Sequence, residues 1–571
     1  MDYEQKDSRS ILISILVIFL ISALVMFRQL LSKGYFSCHA EDTYAYVSWA
    51  WQFVEALKEG IIYPRWLPVN YWGYGGPMFI LLPPLAFYLV AFFNMFTGSV
   101  IMAMNITKFM ALFLSGVGMF FLVKEFYSEK VALFTAGFYA IFPYNIFQYY
   151  LVGTFASVVS FMWFAPIILF TYRYMKSNRY RDMLYSAICY AGLILTHLIN
   201  AYMFTFVLGA FVIYMSIVTR RPKKLTGMFL IVLIGLLISS AYIMPVIFEK
   251  QFMNLKEFIG EGKGSGFLFD YHNFFILPDM TDKFSKGHLW NAYYDSFVFH
   301  VFIFCILVAL SVSQMIRMKH FEVIKRAHYI NTFFIGTVLC TMFLLFGISS
   351  FIWETIPLFK YIQFAHRWLN ITAFSVVFLS AVIALDQNSH HRMKIKHSLF
   401  IVLLCVMCFL LDFKYIMWAN VLNEQDLLPV KSANWYREHL PVWVDIEKID
   451  KREDINRTVD IKEGVGKVDI VTWKSAERTM KIKALEPVTL RIRTFYFPGW
   501  KAYLDGVQMA IKTEKEVGAM IVNVPRGTHV LVLKFEDTPV RYYSKIISLV
   551  TMCVIVFIFL FPLKKTGISK K

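Results

Sequence analysis

An adjacent pair of carboxylates, Glu41 and Asp42, stands just after the first long apolar run, in Ala40-Glu41-Asp42-Thr43-Tyr44. Val47, Ala50, Trp51, Val54 and Leu57 follow at helical spacing, which predicts an amphipathic helix over 43–58 lying in a membrane interface. A carboxylate at the start of such a helix has two uses. It can cap the helix, accepting from the free N–H groups and opposing the dipole. Or it can act as a general base, taking the proton of a hydroxyl that attacks a sugar anomeric carbon. One carboxylate suffices when the leaving group is a phosphate, which needs no proton. Glycoside hydrolysis instead sets a pair across the bond. Spacing alone does not separate the two uses.

A departing lipid phosphate needs a cation, and arginine's planar fork suits it. Arg65, in Tyr63-Pro64-Arg65-Trp66, lies on the same loop as the acidic pair. Arg367, with His366 beside it in Gln363-Phe364-Ala365-His366-Arg367-Trp368, lies at the mouth of a later span. Snorkelling to headgroups is the plainer use of either arginine. Trp66, Tyr71, Trp72 and Tyr74 precede Gly75-Gly76-Pro77 and would line a substrate groove, although interfacial aromatic belts look the same. His197 interrupts an apolar stretch and is placed in the same groove, with a hydrogen-bonded structural histidine the equal alternative. Glu354, Lys360, Asp270 and His272 read as solvated loop positions. The run Gly260-Glu261-Gly262-Lys263-Gly264-Ser265-Gly266 lacks P-loop spacing and reads as a loop. There is no dinucleotide fingerprint and no Walker motif, which fits a lipid-linked donor better than a nucleotide sugar.

The elements that must position these residues are mostly membrane spans. The chain has 571 residues, 58% of them hydrophobic and 18% aromatic, more apolar surface than a soluble fold can hide. Its net charge of +18 gathers in short loops at 173–181, 220–224, 317–325 and 390–397 and in the tail 564–571. That is the positive-inside pattern, so these loops and the tail are expected in the cytoplasm and no nucleic-acid partner is expected. Six of the seven cysteines fall in apolar runs and only Cys38 in an outer loop, so no disulfide framework is implied. Spans are expected at 11–27, 100–122, 130–148, 152–172, 226–247, 294–315, 329–349, 367–386, 397–415 and 541–562. Two short helices in 184–218, split at Thr196-His197-Leu198-Ile199-Asn200, bring the total to about 12. Segment 79–96, broken by Pro83-Pro84, reads as re-entrant or interfacial; counting it as a crossing gives 13 instead.

Residues 416–540 follow a different rule. Lys467–Trp473, Thr479–Lys483, Val488–Phe495, Met520–Val524 and His529–Phe535 are short and rich in β-branched residues, mostly alternating at period two. Turn signals Pro498-Gly499, Asp505-Gly506 and Pro525-Arg526-Gly527 separate them. An antiparallel β-sandwich outside the membrane is expected, on the same face as Asp42. The chain thus divides into a transmembrane domain at 1–415 with an outer loop at 28–99, the β-domain at 416–540, and a final span with its tail at 541–571.

An acidic pair after a first span resembles the C-type (GT-C fold) glycosyltransferases, which use polyprenyl-phosphate sugars. Asp42, Tyr63-Pro64-Arg65-Trp66, Gly73-Tyr74-Gly75-Gly76-Pro77, Pro83-Pro84-Leu85, His366-Arg367 and Tyr436-Arg437-Glu438-His439-Leu440-Pro441 are similar to the bacterial membrane family labelled "6-pyruvoyl-tetrahydropterin synthase-related". Phe497-Pro498-Gly499-Trp500-Lys501-Ala502-Tyr503 resembles the carboxy-terminal region of YfhO-like membrane glycosyltransferases. The resemblance implies a GT-C-like core, an inverting transfer and Asp42 as base with Glu41 in support. The family label does not fit its own wording: a pterin synthase needs a histidine zinc site in a soluble fold. No cofactor is expected, with a divalent metal left open because GT-C enzymes differ in using one.

The expected protein is therefore a polytopic α-helical plasma-membrane enzyme with a carboxy-terminal extracytoplasmic β-sandwich. Its expected partners are a polyprenyl-phosphate-sugar donor, membrane lipids and an extracytoplasmic glycan, teichoic acid, lipid or protein acceptor. A lipid-linked saccharide transporter or flippase would instead string polar residues through several spans. A non-catalytic scaffold would be indifferent to Asp42→Asn. The sequons at Asn105, Asn370 and Asn456 are not read as glycosylation sites, two of them lying at or in spans.

Overall fold

The computed structural model describes residues 2–37, 40–220, 224–255, 288–319, 322–356, 358–385, 420–423, 436–449 and 458–561, with single positions between 399 and 410. The run 260–266, Asp270, His272, Cys38, Asn456, the basic stretches 390–397 and 564–571, and most of the expected 397–415 span lie outside the described residues.

The chain opens with helix α1 (Asp2–Leu31), short strand β1 (Gly34–Ser37) and α2 (Ala40–Lys58). Then come α3 (Met78–Leu81), α4 (Leu85–Thr97) and α5 (Val100–Lys124). At 13 residues α4 is about 20 Å long, too short to cross about 30 Å of hydrocarbon. The expected span at 130–148 is not continuous. Pro143, which cannot donate to the preceding turn, ends α6 (Glu129–Ile141), and α7 (Pro143–Phe147) passes into a π-helix, Gln148–Val152. Gly153 then turns the chain into α8 (Phe155–Ser160), a short 3₁₀ turn and α9 (Phe164–Ser177).

α10 (Tyr180–Thr196) and α11 (Leu198–Val218) part at His197, at the expected break. His197 is extended, and its Nδ1 accepts from Asn200 N at 3.1 Å, capping α11. The expected span at 226–247 is bent by 82° at Ser239, between α12 (Leu225–Ile238) and α13 (Ser240–Glu249). α14 (His288–Arg317) and α15 (Glu322–Phe343) follow, the latter turning by 94° into α16 (Ser350–Thr355). α17 (Leu369–Ile383) lies in the middle of the bundle and α18 (Pro539–Leu560) at its rim. Among the described residues, seven helices are long and apolar enough to cross a membrane, or nine if each bent pair is one span, against the 12 expected.

The two ends of the bundle differ. At one end Lys124 pairs with Glu129 at 3.0 Å, Arg173 with Glu125 at 3.1 Å, and Lys224 donates to Asn178 Oδ1 at 2.7 Å, drawing the basic loops together. The β-domain sits at the other end. It contains two antiparallel sheets, in the orders β3-β6-β10-β9 and β4-β5-β11-β7-β8. The strands are β3 (Val459–Glu463), β4 (Gly466–Trp473), β5 (Glu477–Ala484), β6 (Val488–Phe495), β7 (Trp500–Leu504), β8 (Val507–Met509), β9 (Lys512–Thr513), β10 (Ala519–Val524) and β11 (Gly527–Phe535). Asp505 and Gly506, both at positive φ, make the two-residue turn joining β7 to β8. Met480, Ile482, Leu490, Ile492, Val522, Leu531 and Leu533 are buried between the strands, continuous with apolar residues of α2 and the loop after it. A further antiparallel pair joins β1 to β2 (Asn420–Asn423), with Gly34 opposite Asn423 and Ser37 opposite Asn420.

Candidate functional site

The acidic pair falls in the first turn of α2. The Glu41 and Asp42 side chains lie outside the described residues; the helix that carries them does not. Along the face one and two turns after position 42, Tyr46 stacks on Phe87 (6.3 Å between centroids) and Trp49 packs on Tyr436 at 5.1 Å and His439 at 5.9 Å. The motif 436–441 is thus a brace against α2. Burial pushes the His439 imidazole down to about 3, so it stays neutral there.

The loop after α2 closes on itself. Leu67 and Gly76 exchange both backbone bonds at 2.9 Å, and the Gln52 amide accepts from Val69 N and donates to Asn70 Oδ1, each at 2.9 Å. Tyr71 and Trp72 both take positive φ, which bulky residues adopt only where their surroundings impose it. The β-domain supplies those surroundings. Tyr71 OH donates to Tyr436 O at 2.6 Å, and Phe495 N donates to Tyr74 O at 3.0 Å. The Tyr74 ring stacks on Phe495 at 4.8 Å, and its hydroxyl accepts from Arg491 at 2.8 Å. Trp66 meets Trp500 and Phe535, each at 5.4 Å. Gly75 must be glycine, since a Cβ there would lie 2.5 Å from Trp66 Nε1.

Trp66, Tyr71 and Tyr74, expected to line a substrate groove, are packed against β-domain residues and Tyr436. All three are at most 2% exposed, sealed between loop and β-domain. Arg65 is buried as well, stacks on Tyr63 at 3.8 Å and donates through Nη2 to Ala241 O at 2.8 Å, at the break between α12 and α13. Its Nε and Nη1 have no hydrogen-bond partner among the described residues. Alongside, Arg541 and Glu249 form a fully buried ion pair at 2.8 Å, with Thr538 donating to the same carboxylate and Arg541 donating to Pro498 O at 2.8 Å. Gly499 leaves room for that guanidinium, its absent Cβ being 2.6 Å from Arg541 Nη1. Phe497-Pro498-Gly499-Trp500 is a docking corner. Arg478 stands between Trp473 and Trp500, at 4.7 and 4.4 Å, where burial pushes it down to about 9 against the pull of Glu59.

A second group of polar residues surrounds the broken segment 143–163 inside the bundle. Asn200 Nδ2 donates to Ser160 Oγ at 2.8 Å and to Ser157 Oγ at 3.1 Å, and Asn370 reaches Asn200 at 3.4 Å. Tyr144 OH donates to Asn370 Oδ1 and accepts from Gln148, both at 2.8 Å. His300 is wholly buried against Tyr144 and Phe147. His197 borders this belt through its bond to Asn200 N and lies within electrostatic reach of Arg367. Arg367 donates to Ile362 O at 2.8 Å and covers Phe364 at 5.1 Å, whose other neighbour is the His366 ring at 5.2 Å. Of the expected site residues, the structure thus groups His197, Arg367 and His366, and separates them from Arg65, Trp66, Tyr71 and Tyr74.

On the other side of the broken segment, Tyr149 O accepts from Gln29 Nε2 at 2.9 Å and from Lys108 Nζ at 3.3 Å. Asn105 Nδ2 donates to Gln29 O and Gly34 O, at 2.9 and 3.2 Å. Gln29, Asn105, Lys108, Asn200 and Asn370 went unremarked as functional candidates in the sequence. The signal was there, because a polar residue within an apolar run faces the bundle interior. Among the described residues, no group of three or more His, Cys, Asp or Glu side chains could hold a metal ion.

A family model described as "6-pyruvoyl-tetrahydropterin synthase related domain; membrane protein" matches residues 81–416, more than half of the chain. The chain belongs to that family and is a multi-pass membrane protein. Among solved structures it is similar to crystal structures of the Archaeoglobus fulgidus oligosaccharyltransferase. The zinc- and sulfate-bound form has 12% identity and a TM-score of 0.40, covering 73% of this chain and 54% of that one. For the apo form the identity is 11%, the TM-score 0.42 and the coverage 73% and 57%. The archaeal oligosaccharyltransferase AglB of the same organism, in complex with an inhibitory peptide and a dolichol-phosphate, gives 12%, 0.37, and 73% and 56%. The chain spans about half the length of these proteins. No curated protein matches it.

Proposed function

We propose that the protein is a GT-C-type glycosyltransferase that moves a sugar from a polyprenyl-phosphate carrier to an acceptor outside the cytoplasm. The observation that carries this reading is the common end of the bundle at which three things meet. The acidic first turn of α2, the polar belt around the broken segment, and the β-domain lie there together, opposite the basic loops. With the basic loops taken as cytoplasmic, that end faces outward.

In the proposed reaction Asp42 takes the proton of an acceptor hydroxyl as its oxygen forms a bond to the anomeric carbon. The bond from that carbon to the phosphate oxygen breaks, the configuration inverts, and polyprenyl phosphate leaves as an anion. Glu41 supports Asp42 as a neighbouring like charge, which makes it a stronger base. Arg367, with His366 and His197 near it, and Arg65 are the arginines expected for the donor. Arg65 is held by Ala241 and Tyr63 beneath the β-domain. The two-sheet domain, a β-sandwich in this reading, holds the acceptor end in register with α2.

The test is transfer of radiolabelled sugar from polyprenyl-phosphate donors in membranes carrying wild type or Asp42→Asn. Transfer by wild type, lost by about a hundredfold or more in a normally inserted mutant, is the expected result. No transfer from a broad donor panel, together with rescue of a deletion strain by Asp42→Asn, would sink the enzyme reading in favour of a transporter or scaffold.

A further inference from the structure

Lys108 is a basic residue inside a membrane-spanning helix, 1% exposed, two turns from the start of α5. Its compensation is thin. Among the described residues it has no acidic partner; it makes one hydrogen bond, the 3.3 Å contact to Tyr149 O, and lies over the Tyr35 ring at 4.1 Å. That bond is longer than an ordinary N–H···O contact, and at least two ammonium N–H groups remain unused. A buried ammonium normally finds a carboxylate or several carbonyls, because desolvation is costly.

Its neighbours are under-used in the same way. Tyr35 OH, Gln29 Oε1 and Asn105 Oδ1 are all buried and, among the described residues, have no hydrogen-bond partner. Lys108 and Tyr35 offer donors, and the two amides offer acceptors held in place by their own bonded nitrogens. A purely anionic ligand would leave the amide oxygens idle, and a neutral one would leave the ammonium so. A sugar phosphate uses both.

The cluster is also on the right side. Tyr35 lies within electrostatic reach of Tyr46, which stands one turn after position 42 on α2, and β1 ends five residues before Asp42. We propose that Lys108, Tyr35, Gln29 and Asn105 form the subsite for the phosphosugar head of the lipid donor, Lys108 and Tyr35 binding the phosphate and the two amide oxygens accepting from sugar hydroxyls. This rests on the glycosyltransferase reading and assigns the donor phosphate to residues of α1, β1 and α5 in place of Arg65 and Arg367.

Equilibrium binding of a radiolabelled long-chain polyprenyl phosphate to the purified full-length protein tests it, with unphosphorylated polyprenol as competitor. Wild type is expected to bind, and polyprenol not to compete. Lys108→Met should weaken binding by about tenfold to a hundredfold, and Lys108→Arg by much less. Tyr35→Phe, which removes only a hydroxyl without a partner, should keep the melting temperature and still lose about threefold to tenfold in binding. That variant carries the test if Lys108→Met does not fold. Wild-type binding unchanged by Lys108→Met and Tyr35→Phe would overturn the subsite and leave the transferase standing. No binding by wild type would overturn both.

Discussion

Two regions of this protein are rich in polar and aromatic side chains, and they settle their chemistry in opposite ways. In the loop at 63–77, the aromatic groups dock, Tyr71 on Tyr436 and Tyr74 on Phe495 and Arg491. Arg65 donates once, to Ala241 O, and Tyr63 Oη, Arg65 Nε and Nη1 and Trp66 Nε1 are sealed in without a hydrogen-bond partner among the described residues. Around the broken segment the polar residues are scattered singly through apolar helices, and on the Lys108 side four polar groups keep unused capacity. Density of unusual residues marks an interface here. What sets the other region apart is that its polar residues stand singly inside apolar helices, where each is costly to keep without a use.

That contrast makes mutations at the two regions fall differently on stability and on turnover. Arg541→Met should have the largest effect, because it leaves Glu249 buried without its cation. A loss of about 3–5 kcal/mol is expected, read as earlier thermal unfolding and faster proteolysis of the β-domain. An unchanged melt would break the docking account. Gly75→Ala forces a Cβ against Trp66 at positive φ and should cost about 1–3 kcal/mol, with transfer per folded molecule unaltered. Asn200→Ala should do the reverse. It removes the bonds to Ser157 and Ser160 at about 1 kcal/mol or less of stability, yet lowers transfer severalfold in normally inserted protein. Equal losses of stability and turnover at Asn200 would erase the distinction between the regions.

Near neutral pH the smallest effect is a pH slope. His439 is held neutral, down to about 3, so the unfolded chain binds its proton more readily than the folded one. Stability contributed by this site is complete above about 6.5 and declines as the pH falls from there toward 3. His439→Gln should flatten that part of the melting-temperature profile. A slope that survives the substitution would move its origin to another group.

Much of the fold was legible because its signals are local. The strand Val488–Phe495 coincides with its expected run, and His197 breaks the helices where a polar step interrupted the apolar pattern. The bends at Ser239 and after Phe343, and the π-helix after Pro143, were not, since hydropathy averages over a window and ignores direction. At the site, the acidic pair is found in the first turn of a helix as expected. The fate of Trp66 and Tyr74 depends on residues more than 400 positions later, which no periodicity within the loop can report. Asn105, met only as a sequon, and Lys108 drew no functional reading because α5 stays apolar overall despite them.

The pairing of β1 with β2 sets an order in time. Residues 34–37 leave the ribosome early, but the strand that hydrogen-bonds them is residues 420–423, almost four hundred positions behind. Until that strand arrives, the segment leading into the acidic turn has open backbone donors and acceptors and no fixed register, and such distant pairings form late. The helices can enter the membrane one after another while the carboxylates remain unplaced. Chains truncated before 420 would then be inserted but unfinished at the turn that carries the acidic pair, a built-in delay between reaching the membrane and completing the fold.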